Sequence, residues 1–76
     1  MQTVQPCKGN LFVVWDGDKS SEVLNGLDSA LMWIHGHANE ISDVAYVEWG
    51  TKDDKGNFQP FCGCFVDDFL EEVYRA

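Results

Sequence analysis

Two periodicities divide the chain. LFVVW at 11–15 is a short apolar run of β-branched and aromatic residues that stops at DGDK, a strong turn signal. The polar SSEVLN that follows predicts a second strand returning beside the first, so the chain opens with a hairpin. From Leu27 the spacing changes: Leu27, Ala30, Leu31, Ile34, Ala38 and Ile41 recur at helical intervals and form one apolar stripe. Asp28 is placed to cap this helix, Leu27 can staple onto Met32, Gly36 weakens the middle and Asn39 terminates it. The helix is expected over 29–39. DVAYVEW at 43–49 predicts a strand, GTKDDKGN a polar turn and FQPFCGCFV its antiparallel partner, with Pro60 marking an edge position or a bulge. DDFLEEVYRA closes the chain as a short amphipathic helix. Asp67 or Asp68 caps it, with Phe69, Leu70, Val73 and Tyr74 on one face and Asp68, Glu71, Glu72 and Arg75 on the other.

The order ββαββα predicts an α+β domain: a four-stranded, mostly antiparallel sheet with two helices in a two-layer sandwich. Seventy-six residues support one core, so residues 10–76 are expected to form a single domain behind an irregular N-terminal arm at 1–9. Alternation leaves both sheet faces apolar. Leu11, Val13 and Trp15 oppose Phe12 and Val14; Val44, Tyr46 and Glu48 oppose Ala45, Val47 and Trp49; Cys62, Cys64 and Val66 oppose Phe61, Gly63 and Phe65. Two short helices cover one such face. The other is covered by a helix or by the arm, or else it is a surface for a partner or a second copy. On the first helix Met32 lies nearly opposite the stripe and Trp33 well off its centre.

Charge narrows the partners. Thirteen Asp and Glu stand against five Lys and Arg, a formal net of −8. Nucleic-acid affinity comes largely from Lys and Arg releasing counterions, so direct binding to DNA or RNA is not expected. An anionic membrane is disfavoured by the same sign, and no apolar run approaches the roughly 20 residues that span a bilayer. The N-terminus MQTVQPCKGN has neither a basic nor an apolar signal region, and three cysteines make an odd count. Both point to a reducing cytoplasm with free thiols.

FCGCF at 61–65 and HGH at 35–37 raise the question of a metal. Cys62 and Cys64 share a strand face, so two thiolates could aim at one zinc ion, with Cys7, His35 or His37 completing the set. The spacing argues otherwise. C-x-C is not the usual knuckle, and histidines two apart on a helix point about 200° apart. The competing reading makes both cysteines small buried hydrophobes, with Gly63 letting a ring approach the backbone. No cofactor is expected. Nor does any nucleophile elbow or triad signature accompany His35 or His37, so the chain does not read as an enzyme.

The carboxylates fall into groups rather than motifs. DGDKSSE resembles the first half of a calcium loop, but Ser21 and Leu27 occupy the positions that need Gly and Glu. Glu40 and Asp43 flank the helix–strand junction, Asp53 and Asp54 sit in the second hairpin turn, and Asp67, Asp68, Glu71 and Glu72 populate the last helix. They form either a solvated face or a docking surface for a basic partner.

In size, acidity, hairpin–helix–hairpin–helix order and lack of catalytic motifs, the chain resembles the small single-domain proteins of bacteriophages and mobile elements, including anti-CRISPR proteins. That resemblance implies a protein partner with a basic patch and inhibition by occlusion. The expected function is therefore non-enzymatic binding to a basic, nucleic-acid-binding surface of a larger complex. Asp53, Asp54, Asp68, Glu71 and Glu72 would meet the basic groups, and Met32, Trp33, Tyr46 and Trp49 would anchor. The alternatives are a metal or redox domain built on Cys62, Cys64, Cys7 and His37, and a homodimeric structural protein.

Overall fold

The computed structural model describes residues 10–75; the expected N-terminal arm at 1–9, with Cys7, lies outside them. The chain is α+β, with an antiparallel sheet and two helices. Strand β1 (Leu11–Asp16) is followed by two very short strands, β2 (Lys19–Ser20) and β3 (Leu24–Asn25), then helix α1 (Leu27–Gly36), strands β4 (Tyr46–Lys52) and β5 (Phe58–Phe65), and helix α2 (Val66–Arg75). The sheet runs β2-β1-β4-β5, with β3 also paired to β1.

The expected second strand is thus two pieces, which makes five strands rather than four. Ser21 explains the break. Its backbone N–H donates to the Val14 carbonyl at 2.8 Å while its Oγ accepts the Val14 N–H at 2.9 Å. A hydroxyl has taken the donor that a strand carbonyl would otherwise hold, and residues 21–23 leave the ladder.

Helix α1 begins earlier than the sequence predicts and ends earlier too. Gly26, at φ 99°, occupies the N-cap instead of Asp28, and the Ala30 N–H donates to its carbonyl at 3.1 Å. A side chain would strain that backbone angle, so the glycine sets where the helix starts. At the other end His37 doubles as the stop: its N–H donates to the Trp33 carbonyl at 3.0 Å, and its ring Nδ1 lies 2.8 Å from the same oxygen. Gly36 lowers helix propensity just before it. Residues 37–40 form turns, so Ala38 falls off the stripe and is exposed.

Most of the core gathers on one side of the sheet, although Val13, on the other side, is buried too. Phe12, Val14, Val47 and Trp49 share a cluster with Leu24, Ala45, Ala30 and Ile34 of α1, and Val66 and Phe69 of α2. The Phe69 ring meets Phe12 edge-on at 5.8 Å and Trp49 at 5.7 Å. Each of these rings contributes about 2–3 kcal/mol by leaving water. Cys62 and Cys64 border the cluster, half-buried.

Between β4 and β5 the register slips at Trp49/Gly50, so Trp49 faces Cys62 while Gly50 faces Pro60. Phe61 is the extra residue. Pro60 therefore marks both the edge strand and a bulge, the two options its position in the sequence allows. The β4–β5 turn is held by Asp53, whose Oδ1 accepts the N–H groups of Lys55 and Asn57, each at 2.9 Å.

Candidate docking surface

The face of the sheet away from the core is built by register. Trp15 pairs with Tyr46, Val13 with Glu48, Tyr46 with Phe65, and Glu48 with Gly63. Directly paired residues share a face, so Val13, Trp15, Tyr46, Glu48, Gly63 and Phe65 lie together; Phe61, the extra residue of the bulge, precedes them on β5 without a partner on β4. Trp15 is 37% exposed, Tyr46 36%, Phe65 50% and Phe61 62%.

Three of these rings are ordered by contacts of their own. Trp15 Nε1–H donates to Glu48 Oε1 at 2.9 Å, and the Tyr46 and Phe65 rings meet edge to face with centroids 5.8 Å apart. Tyr46 also lies across Gly63: a Cβ there would come within 2.7 Å of its ring and 2.9 Å of its hydroxyl. Glycine is what lets the phenol ring lie flat over the strand. Glu48 is the sole carboxylate among the paired residues of this face, half-buried and fixed by the indole.

The anchors expected from sequence divide. Tyr46 is on this face. Trp49 belongs to the core instead, 2% exposed, because it alternates with Glu48 and packs on Phe12 and Phe69. Its Nε1–H has no hydrogen-bond partner among the described residues, and neither does the side-chain N–H2 of buried Asn10. Trp33 packs half-buried against the core and stacks on His37 at 3.9 Å. Met32 is 75% exposed, but it stands on α1 rather than on the Tyr46 face. Trp15 and Phe65 complete the surface in their place. Strand alternation puts each on an apolar face, but only the register shows that those faces coincide.

The acids also divide. Asp53 is committed to its turn, and Asp54 is exposed beside it. Asp68, Glu71 and Glu72 lie along α2, where Asp68 and Glu72 act on Cys64. Burial pushes the Cys64 thiol up to about 11, with further contributions from Asp68, Cys62 and Glu72. A thiol so shifted keeps its proton at neutral pH and is a poor nucleophile.

The described Cys and His residues do not converge. His37 lines a cleft of about 240 Å³ with Val14, Lys19, Trp33 and Glu40, on the β2 side of the sheet, while Cys62 and Cys64 lie on β5 at the opposite edge. His35 Nε2 lies 2.7 Å from the Tyr74 hydroxyl, a hydrogen bond that ties α1 to α2. Among the described residues no three His, Cys, Asp or Glu side chains are grouped to hold a metal ion, and no helix is long and apolar enough to cross a membrane. Comparison with family models, curated proteins and solved structures returns no match.

Proposed function

We propose that this protein is a non-enzymatic binding protein that docks on a basic surface of a larger complex, one that normally holds nucleic acid, and occludes it. The observation that carries this is the exposed aromatic face of Trp15, Tyr46 and Phe65 on a chain of net charge −8. It rests on a two-layer arrangement in which both helices cover the Phe12 face and leave the Trp15 face to a partner. A rigid cluster of large rings is the composition of an interface anchor. The negative field repels nucleic acid and speeds encounter with a basic protein over about a Debye length.

The experiment is affinity capture from a lysate of the organism that carries the gene. Wild type is compared with a Trp15→Ser, Phe65→Ser variant whose fold is checked by circular dichroism. A partner held by wild type, lost in the folded variant and displaced by added duplex DNA or RNA is the expected result. Capture that survives the double substitution, or that nucleic acid does not displace, overturns the proposal.

A further inference from the structure

Among the described residues, the edge of β5 completes this surface with unused hydrogen-bonding capacity. Among the described residues β5 pairs with β4 alone and ends the sheet. The Val66 N–H donates to the Ala45 carbonyl at 2.8 Å, just beyond the Tyr46–Phe65 pair. In an antiparallel ladder, pairs that exchange hydrogen bonds alternate with pairs that do not. Ala45–Val66 begins that count, so Val47–Cys64 and Trp49–Cys62 are the bonded pairs. Phe65 and Gly63 therefore turn their N–H and C=O groups outward, away from β4.

The side chains above those groups favour one kind of occupant. A strand added against this edge would set one residue opposite Gly63 and another opposite Phe65, both on the Trp15 face. Gly63 has no side chain of its own there, so the lane past it is floored by the Tyr46 ring. Across it lie the Tyr46 ring, over the glycine, and Glu48, paired directly with it. Trp15 occupies Glu48 Oε1, and among the described residues Oε2 has no hydrogen-bond partner. A long cation opposite Gly63 would pass over the phenol face toward that carboxylate, and Arg suits this best because it both stacks and forks. The β5 run FQPFCGCF carries no charge to oppose it.

We infer that β5 takes up an extended segment of the basic partner as a further antiparallel strand, with an arginine opposite Gly63 lying over Tyr46 toward Glu48. This rests on the proposed docking function and specifies its chemistry. Main-chain bonds to Gly63 and Phe65 hold the segment, the Tyr46–Glu48 lane selects the arginine, and Phe65 packs against the residue two positions away.

The test uses an acetylated, amidated heptapeptide with a central arginine, valine two residues to either side and threonine elsewhere. It is titrated into the full-length protein, with amide shifts followed by NMR. Three comparisons accompany it: the same peptide with glutamate at its centre, the same peptide N-methylated at the arginine, and the Glu48→Lys protein, checked for fold. Saturable binding is expected, with the largest shifts at Gly63 and Phe65. Affinity should fall by about tenfold or more for the glutamate peptide and for the N-methylated peptide. Glu48→Lys should reverse the preference between arginine and glutamate.

No saturable binding, equal affinity of the N-methylated peptide, or a preference unmoved by Glu48→Lys would each overturn the inference. So would light scattering that shows a dimer whose interface protects the β5 amides. If lysate capture persists while the peptides fail to bind, docking stands and the edge assignment falls; if capture itself fails, the docking function falls.

Discussion

The indole of Trp15 and the carboxylate of Glu48 meet at 2.9 Å across the β1–β4 seam, a bond between residues 33 apart in sequence. Two of the side chains that define the open face thus hold each other in place. The bond is solvent-exposed, so its worth to the fold is small, about 1 kcal/mol or less. For the proposed docking its worth would be larger, because a ring already held still has less freedom to lose on binding.

Trp15→Ala should therefore separate binding from stability. The melting temperature is expected to move by only a few degrees. Partner affinity should fall by about 2 kcal/mol, roughly thirtyfold, as for an interface anchor. Calorimetric melting beside an affinity titration reads both, and a large loss of stability with binding intact would contradict the assignment.

The core predicts the opposite pattern. Phe69 is fully buried and touches both Phe12 and Trp49, so Phe69→Ala should cost about 3–5 kcal/mol in urea unfolding. Met32→Ala, on the exposed side of α1, should stay within about 0.5 kcal/mol.

Two glycines should respond with opposite sign. A Cβ on Gly50 would fall 2.0 Å from the Gln59 carbonyl oxygen, and backbone cannot yield as a side-chain end can. Gly50→Ala should therefore break the β4–β5 register at the bulge and cost several kcal/mol, on the order of other overpacked sites or more. Gly36, at the end of α1, has open space around its Cβ position. Gly36→Ala should stabilise by up to about 1 kcal/mol, and thermal melts of the two variants give the comparison.

Cys64 sets an alkaline limit. Its folded pKa of about 11 lies above the ordinary thiol value of 9.0, so the fold favours the protonated form. The resulting stabilisation is fully present below pH 9 and is lost as pH rises through 11. Urea midpoints of wild type and Cys64→Val should have a constant difference from pH 7 to 9 and shift relative to each other between 9 and 11, against wild type. Asp68→Asn should narrow that window, since Asp68 adds to the shift after burial. A constant difference across the whole range would refute this account.

Element types were largely legible because they depend on local spacing. The α1 stripe is visible in Ala30 and Ile34, and strand alternation separates Val47 from Glu48 without any knowledge of partners. Boundaries were not, because single hydrogen bonds decide them: the Ser21 hydroxyl ends β2, and the Gly26 backbone starts α1 ahead of Asp28. The candidate site was half legible. Tyr46 stands out as an aromatic in an alternating strand, yet Trp49 looks equally available until register places it against Phe12. The signal that could have sorted them is Glu48. One charge in the middle of an apolar strand marks its own face as the wet one, which puts Tyr46 outside and Trp49 inside. Trp15 and Phe65 then follow only from pairing, which no local pattern encodes.

Strand β5 ends at Phe65 and helix α2 begins at Val66, with no residue between them. Val66 both opens the helix and donates the last hydrogen bond to the Ala45 carbonyl. Such a junction has no slack and behaves as a stiff elbow. A chain paired along Phe65 would thus lie one residue from the first turn of the acidic helix, whose amides are the natural place to look for it.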